Sequence, residues 1–288
     1  MTDTAAALAS FEAVRRRLFG VAYRMLGSVT EAEDVVQDVW IRWQRYTERS
    51  APDSVEAFLV TMTTRRCITV ATSARARRET YIGPWLPEPV DTSADPTLGA
   101  ERAEALETAV LVLLEKLTPT ERAAYVLREA FDYPYAAIAA IVDVTPANAR
   151  QLVSRARRHL AEERRTPVPA AEHRRLLEAF LEAARDGDIG RLETLLAEDV
   201  VSYSDGGGMV RASKWPVVGR MRVAKFFHAF ASHFWVGVEV RIVEVNGGPA
   251  VALFRDGSEF GVVTIDLTDD GIRQVFWQLN PAKLPIAR

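Results

Sequence analysis

The side chains of this chain best equipped for chemistry are its arginines. Arg150, Arg155, Arg157 and Arg158 follow closely on Thr145 and Pro146, and Arg65, Arg66, Arg75, Arg77 and Arg78 form a second set. Guanidinium groups stay protonated, so clusters of them hold phosphates rather than shuttle protons. Acid–base and metal chemistry has far less to work with. The four histidines, His159, His173, His228 and His233, show no His-x-x-x-His spacing with a nearby carboxylate on a helix, so no metal is expected. Cys67 is the single cysteine, which excludes a disulfide framework and a thiolate metal site. No cofactor is implied.

The arginines need elements to carry them. Within residues 117–160, Thr118 and Pro119 open one helix, with threonine as cap and proline at the first helical position. A short helix follows over 135–142, mostly small or apolar through Ala136, Ile138, Ala139 and Ile141. Thr145 and Pro146 then repeat the cap-plus-proline start and launch the basic helix. A short helix, a tight turn and an arginine-bearing helix form the pattern of a helix-turn-helix DNA reader. The alternative is a helical bundle whose basic face is merely solvated. Residues 8–46 read as two helices broken at Gly27 and Ser28, with Thr30 expected to cap the second. That second helix packs through Val35, Val39 and Ile41 and presents Asp34, Gln37 and Asp38 on its other face. A third helix runs from the cap Ser54 to about residue 79, apolar in its first half and basic in its second.

Pro84, Pro87, Pro89 and Pro96 make residues 81–96 extended and stiff. The same stretch carries Tyr81, Ile82, Trp85 and Leu86, which a pure spacer would not expose, so it is expected to dock. Helix is expected again over about 98–117, and a second linker at 164–170 marks a boundary. Beyond it, 172–186 and 189–197 read as helices. Strands are expected over 236–246, 250–255, 259–267 and 272–279, joined by hairpin signals at Asn246, Gly247 and Gly248, at Asp256 and Gly257, and at Asp270 and Gly271. The expected fold class is therefore multidomain: all-α to about residue 165, then an α+β domain whose curved antiparallel meander can wrap a cavity. The formal net charge is only −3, so the electrostatic footprint lies in the basic clusters rather than in the total. The start lacks a signal-like n-region and no window approaches a membrane span, which implies a soluble cytoplasmic protein with no membrane partner.

Taken together, AEDVVQDVW at 32–40, the basic helix after Ser54 and the 117–157 stretch resemble extracytoplasmic-function sigma factors. WLPEP at 85–89, DGGG at 205–208 and NPAKL at 280–284 narrow the resemblance to the group with a fused C-terminal SnoaL-like domain. The resemblance implies region 2 over 1–80, a linker over 81–105, region 4 over 106–165 and a SnoaL-like, NTF2-like cone over 166–288. It implies core RNA polymerase and promoter DNA as partners. Asp34, Gln37 and Asp38 fall where such factors meet the basic coiled coil of the polymerase largest subunit, and Arg65, Arg66, Arg75, Arg77 and Arg78 on the element that reads the −10 box. Asn148, Arg150 and Gln151 fall where the recognition helix reads −35 bases, and Arg155, Arg157 and Arg158 where it touches phosphates. Trp85, Leu86 and Pro87, Asp205, Gly206, Gly207 and Gly208, and Asn280, Pro281, Lys283 and Leu284 fall on motifs expected to couple the C-terminal domain to the linker, the glycines letting backbone approach WLPEP. The chain departs from the group at Thr69, Val70, Ala71 and Thr72, at Asp143 in the turn, at Leu152 in the recognition helix, at Met209 and at Ala282.

Two other functions compete. SnoaL-like folds include cyclases and isomerases, for which Asp205, His228 and Asp266 would be the acid or base candidates. A small-molecule ligand in the C-terminal cavity would equally suit a ligand-sensing, operator-binding regulator. The acidic face at 34–38 and two separate basic helices count against that reading.

Overall fold

A computed structural model describes residues 2–47, 52, 54–78, 80–92, 107–161 and 168–284. The chain divides into two bodies, the first from 1–79, 100–105 and 113–163, the second from 80–99, 106–112 and 164–288. In the first body, α1 (Thr2–Leu26), α2 (Val29–Thr47) and α3 (Val55–Arg78) bury Leu18, Met25, Leu26, Val39, Trp43 and Leu59 between them. The indole of Trp43 donates to the Ala7 carbonyl at 3.0 Å, so its one polar atom is satisfied inside an apolar site. The break between α1 and α2 falls at Gly27, as expected, but the cap is Ser28 and not Thr30. Ser28 Oγ accepts from the Glu31 N–H at 3.1 Å, and Thr30 already lies inside the helix. Ser54 caps α3 in the same way, accepting from Ala57 at 3.3 Å. Burial pushes the Cys67 thiol up, which leaves it inert.

Residues 108–161 supply α4 (Thr108–Leu114), α5 (Pro119–Glu129), α6 (Tyr135–Val142) and α7 (Pro146–Ala161). The part of the expected 98–117 helix before residue 107 lies outside the described residues, as do most of the 164–170 linker and the end of the 81–96 stretch. Thr118 and Glu121 form a full capping box at the start of α5, and Thr145 Oγ1 accepts from Asn148 at 3.2 Å at the start of α7. In the turn between α6 and α7, Asp143 takes the left-handed conformation at φ 59°, where its N–H reaches the Ala139 carbonyl. Aspartate tolerates this region better than most residues, which is why the turn works without the glycine usual there.

The second body is an open six-stranded sheet of order β2-β1-β6-β5-β4-β3. Its helices are α8 (Ala170–Asp186), α9 (Ile189–Leu195) and α10 (Arg220–Phe234), and its strands β1 (Leu196–Asp205), β2 (Val217–Val218), β3 (Val238–Val245), β4 (Gly248–Arg255), β5 (Ser258–Thr268) and β6 (Gly271–Gln278). The expected meander is β3 to β6, antiparallel throughout. Three elements go beyond the sequence expectation. The expected 189–197 helix stops at Leu195, and Leu196 starts β1, which pairs in parallel with β6. The short β2 and the helix α10 were not foreseen either. Side-chain alternation gives the sheet two different faces. Val275 and Trp277 of β6 join Leu177, Phe180, Val223 and Phe227 in the helix-covered core, whereas Phe276 faces the other way, onto Leu86 and Ala109.

Candidate functional site: a linker clamp and two basic surfaces

The linker docks within the second body at two places. The first is built on Asp205, the last residue of β1, which is fully buried. One carboxylate oxygen accepts from the Tyr81 hydroxyl at 2.6 Å and from the Gly207 N–H at 3.0 Å. The other accepts from the Leu86 N–H at 2.9 Å and from Lys283 Nζ at 2.7 Å. Lys283 also donates to the Leu86 carbonyl at 2.6 Å and lies 4.3 Å from the centre of the Trp85 ring. A buried carboxylate with four donors and a buried ammonium partner is a fully satisfied polar network. Burial, then the hydrogen bond to Asp205 and its charge, push the Tyr81 phenol up, so it remains a donor. Asn280 donates from Nδ2 to the Tyr81 oxygen at 2.8 Å and caps the turn Pro281–Lys283 with its own oxygen. Gln278 donates to the Pro87 carbonyl at 3.2 Å. Leu284 packs separately, against Val245, Ala250 and Val262.

The second place is the β3–β4 turn. Asn246, buried and at φ 55°, accepts at Oδ1 from the Val90 N–H at 2.8 Å, and its own N–H donates to the Val90 carbonyl at 2.9 Å. Asp91 forms an antiparallel bridge with Val245, and Thr92 Oγ1 accepts from the Gly247 N–H at 3.0 Å. Residues 90–92 thus add a short paired segment beside β3, the edge strand of the sheet.

WLPEP, DGGG and NPAKL therefore meet, and the division of labour differs from the expected one. The Asp205 side chain, not glycine backbone, holds WLPEP. The glycines make room elsewhere: a Cβ on Gly207 would sit 2.3 Å from Asn280 Nδ2, and one on Gly208 would sit 3.0 Å from Ile82. Gly207→Ala, also strained by its φ of +59°, is expected to destabilise the chain by about 1–3 kcal/mol, seen as a lower denaturant midpoint with an unchanged slope. Sequence reasoning missed Gln278, Asn246 and Thr92. A polar residue closing the apolar run of β6, and the asparagine in the Asn246–Gly247 hairpin signal, were the available hints.

In the first body, Asp34 and Gln37 are exposed on α2, while Asp38 is half-buried and lies 2.8 Å from Arg66 Nε, an ionic contact not aligned as a hydrogen bond. Arg65 donates from Nε to the Ile141 carbonyl at 2.8 Å and from Nη2 to the Ala140 carbonyl at 2.9 Å, completing the C-terminal end of α6. Arg78 bonds the Leu26 carbonyl at 2.6 Å and pairs with Glu115, which also holds the buried Arg122. The side chains of Arg75 and Arg77 lie outside the described residues. On α7, Arg150, Gln151, Arg155, Arg157 and Arg158 are exposed and Asn148 half-exposed. Arg157 pairs with Glu129 at 2.7 Å, and Arg150 lies 5.5 Å from the centre of the Tyr135 ring. Leu152, which stands where related factors commonly carry arginine, is 6% exposed and belongs to the core of the helix-turn-helix.

The acid–base candidates are not brought together. Asp205 is committed to the linker, His228 Nδ1 lies 2.6 Å from the Gly187 carbonyl oxygen, and Asp266 sits on β5 opposite Gln274. Among the described residues no group of three or more metal-binding side chains occurs, and no helix is long and apolar enough to cross a membrane.

Paired helical regions followed by an α+β body that grips the segment between them define a sigma factor with an added domain. The Sigma-70 region 2 family matches residues 11–78, and the Sigma-70, region 4 family matches residues 107–160. The chain is 36% identical over 242 residues to the ECF RNA polymerase sigma factor SigJ of Mycobacterium tuberculosis (strain ATCC 25618 / H37Rv), covering 80% of this chain and 75% of that one. It is 32% identical over 282 residues to the probable ECF RNA polymerase sigma factor SigI of M. tuberculosis (strain CDC 1551 / Oshkosh), covering 96% and 94%. The crystal structure of M. tuberculosis SigJ matches with a TM-score of 0.77 at 30% identity, covering 96% of this chain and 97% of that one. This chain belongs to the extracytoplasmic-function RNA polymerase sigma factors.

Proposed function

We propose that this protein binds core RNA polymerase in the cytoplasm and directs initiation at two-box promoters, with its output set in cis by the C-terminal body. Region 2 over 1–80 supplies the core contact through Asp34, Gln37 and Asp38, and the −10 contact through Arg66, Arg75 and Arg77, joined by Arg65 and Arg78 once these leave their carbonyl and Glu115 partners. Region 4 over 106–165 supplies the −35 contact, with Asn148, Arg150 and Gln151 on bases and Arg155, Arg157 and Arg158 on phosphates. The linker belongs to 81–105 and the regulatory domain to 166–288. That domain acts without catalysis, its candidate acid–base groups not being brought together.

The observation that carries the regulatory reading is the buried Asp205–Lys283 pair closed on Tyr81 and Leu86. Residues 81–92 lie between the two reading regions along the chain, so their capture withdraws about 12 residues, or roughly 40 Å of extended reach, from the tether. Promoter boxes lie a fixed distance apart, and a shortened tether restricts which separations both regions can occupy. The test is in vitro transcription with core polymerase and the full-length chain. Trp85→Ala, which removes the ring beside Lys283, should change transcript yield severalfold and leave the −35 preference unaltered. Undetectable core binding, with tight binding of the protein alone to a duplex operator, would overturn the sigma reading. Unchanged yield in Trp85→Ala and Asn280→Ala alike would overturn the clamp.

A further inference from the structure

Behind the clamp lies a cavity of about 180 Å³. Its walls are the rings of Phe226, Phe227, Phe230, Phe234, Trp235 and Trp277. An apolar cavity of about 150 Å³ is large enough for one benzene ring and stays dry when empty. Besides the hydroxyls of Ser204 and Ser213, two features of this one are polar. Trp277 is 5% exposed, and its indole N–H is buried without an acceptor. Arg211 lines the cavity and pairs with no carboxylate among the described residues, while no aspartate, glutamate or histidine lines the space. One ring's worth of aromatic volume, an unanswered donor and a lone unpaired guanidinium define the complement of a planar aromatic anion.

The cavity shares its framework with the clamp. Ser204 and Trp277 are register partners on β1 and β6 and line the cavity; the next pair, Asp205 and Gln278, faces the linker. Arg211 and Asp205 also sit at the two ends of one tight loop. The Gly206 carbonyl accepts from Met209 at 2.9 Å and Val210 at 3.2 Å, and a Cβ on Gly206 would stand 2.8 Å from that of Ala212. In a loop folded this closely, a shift of Arg211 on binding an anion is expected to reach Asp205 as well.

We infer that this cavity binds a monocyclic aromatic carboxylate, ring among the aromatic walls and carboxylate on Arg211, and that occupancy loosens the linker clamp through the 205–212 loop. The binding step stands by itself; the loosening rests on the clamp reading given above. The probe is sodium benzoate, with toluene as its neutral counterpart, titrated calorimetrically into the full-length chain. Benzoate should saturate one site, and Arg211→Gln, a change at an exposed position, should weaken it about tenfold or more while leaving toluene binding unchanged. No saturable benzoate binding, or equal affinity in both proteins, overturns the ligand site whatever the state of the clamp. Amide hydrogen exchange then reads the coupling at Leu86, whose N–H bonds Asp205. Saturating benzoate should speed its exchange about tenfold; unchanged exchange at saturation overturns the coupling and leaves the site. Lys283→Met should speed Leu86 exchange without benzoate, and if it does not, the clamp reading fails independently of the ligand.

Discussion

Asp205→Ala should destabilise the second body by about 3–5 kcal/mol, read as a lowered midpoint in denaturant unfolding of the full-length chain. The size follows from what the substitution leaves behind. The Lys283 side chain is 8% exposed and would keep its charge without a counterion, while Tyr81, Leu86 and Gly207 would each lose their acceptor. Lys283→Met should cost less, about 1–2 kcal/mol, because Asp205 retains three donors and the methionine refills much of the apolar stem's volume. The asymmetry is the diagnostic quantity. Small and equal losses in the two variants would show that the pair is open to solvent and that the linker is not held by a buried network.

The second large effect is on promoter choice. Arg150→Ala should flatten the preference at one base position of the −35 box, with a loss of about 1–3 kcal/mol for the preferred base, roughly 5- to 150-fold. The comparison variant is Arg158→Ala. A phosphate contact positions without reading, so its loss should lower output on every sequence alike and reduce the salt slope by about 1. Sequencing the transcripts made by core polymerase and each variant from a promoter library randomised at −35 separates the two. Arg150 would lose its assignment as a base reader if its variant depressed all sequences equally. Tyr135, beside Arg150 on the preceding helix, favours a fixed guanidinium plane and hence geometric selectivity.

Local signals were the easiest to read from sequence. The caps at Ser54, Thr118 and Thr145 each depend on an oxygen and an N–H three residues apart, so residue type and spacing suffice. Ser28 displaced Thr30 as a cap because both follow the same glycine and only backbone geometry chooses between them. β1 escaped notice because its Ser202 and Ser204 are buried and its Glu198 and Asp199 exposed, which blurs the apolar alternation. α10 escaped although Phe226, Phe227, Phe230 and Phe234 recur at helical spacing on one face, because its start at Gly219 carries no side-chain cap to mark it. The clamp was half legible. Asp205 and the motifs around it stood out, but Tyr81 is 124 residues away from its acceptor, and no spacing rule connects such positions. Leu152 illustrates the reverse: a departure from the group in sequence is a core residue in the fold.

The pairing of Asp91 with Val245 has a consequence beyond restraint of the tether. The strand it covers ends the sheet, and an uncovered strand end presents free amides and carbonyls to any extended chain that passes. Release of residues 90–92 would therefore do more than lengthen a leash: it would bare the hydrogen-bonding edge of β3 to any extended segment able to pair with it.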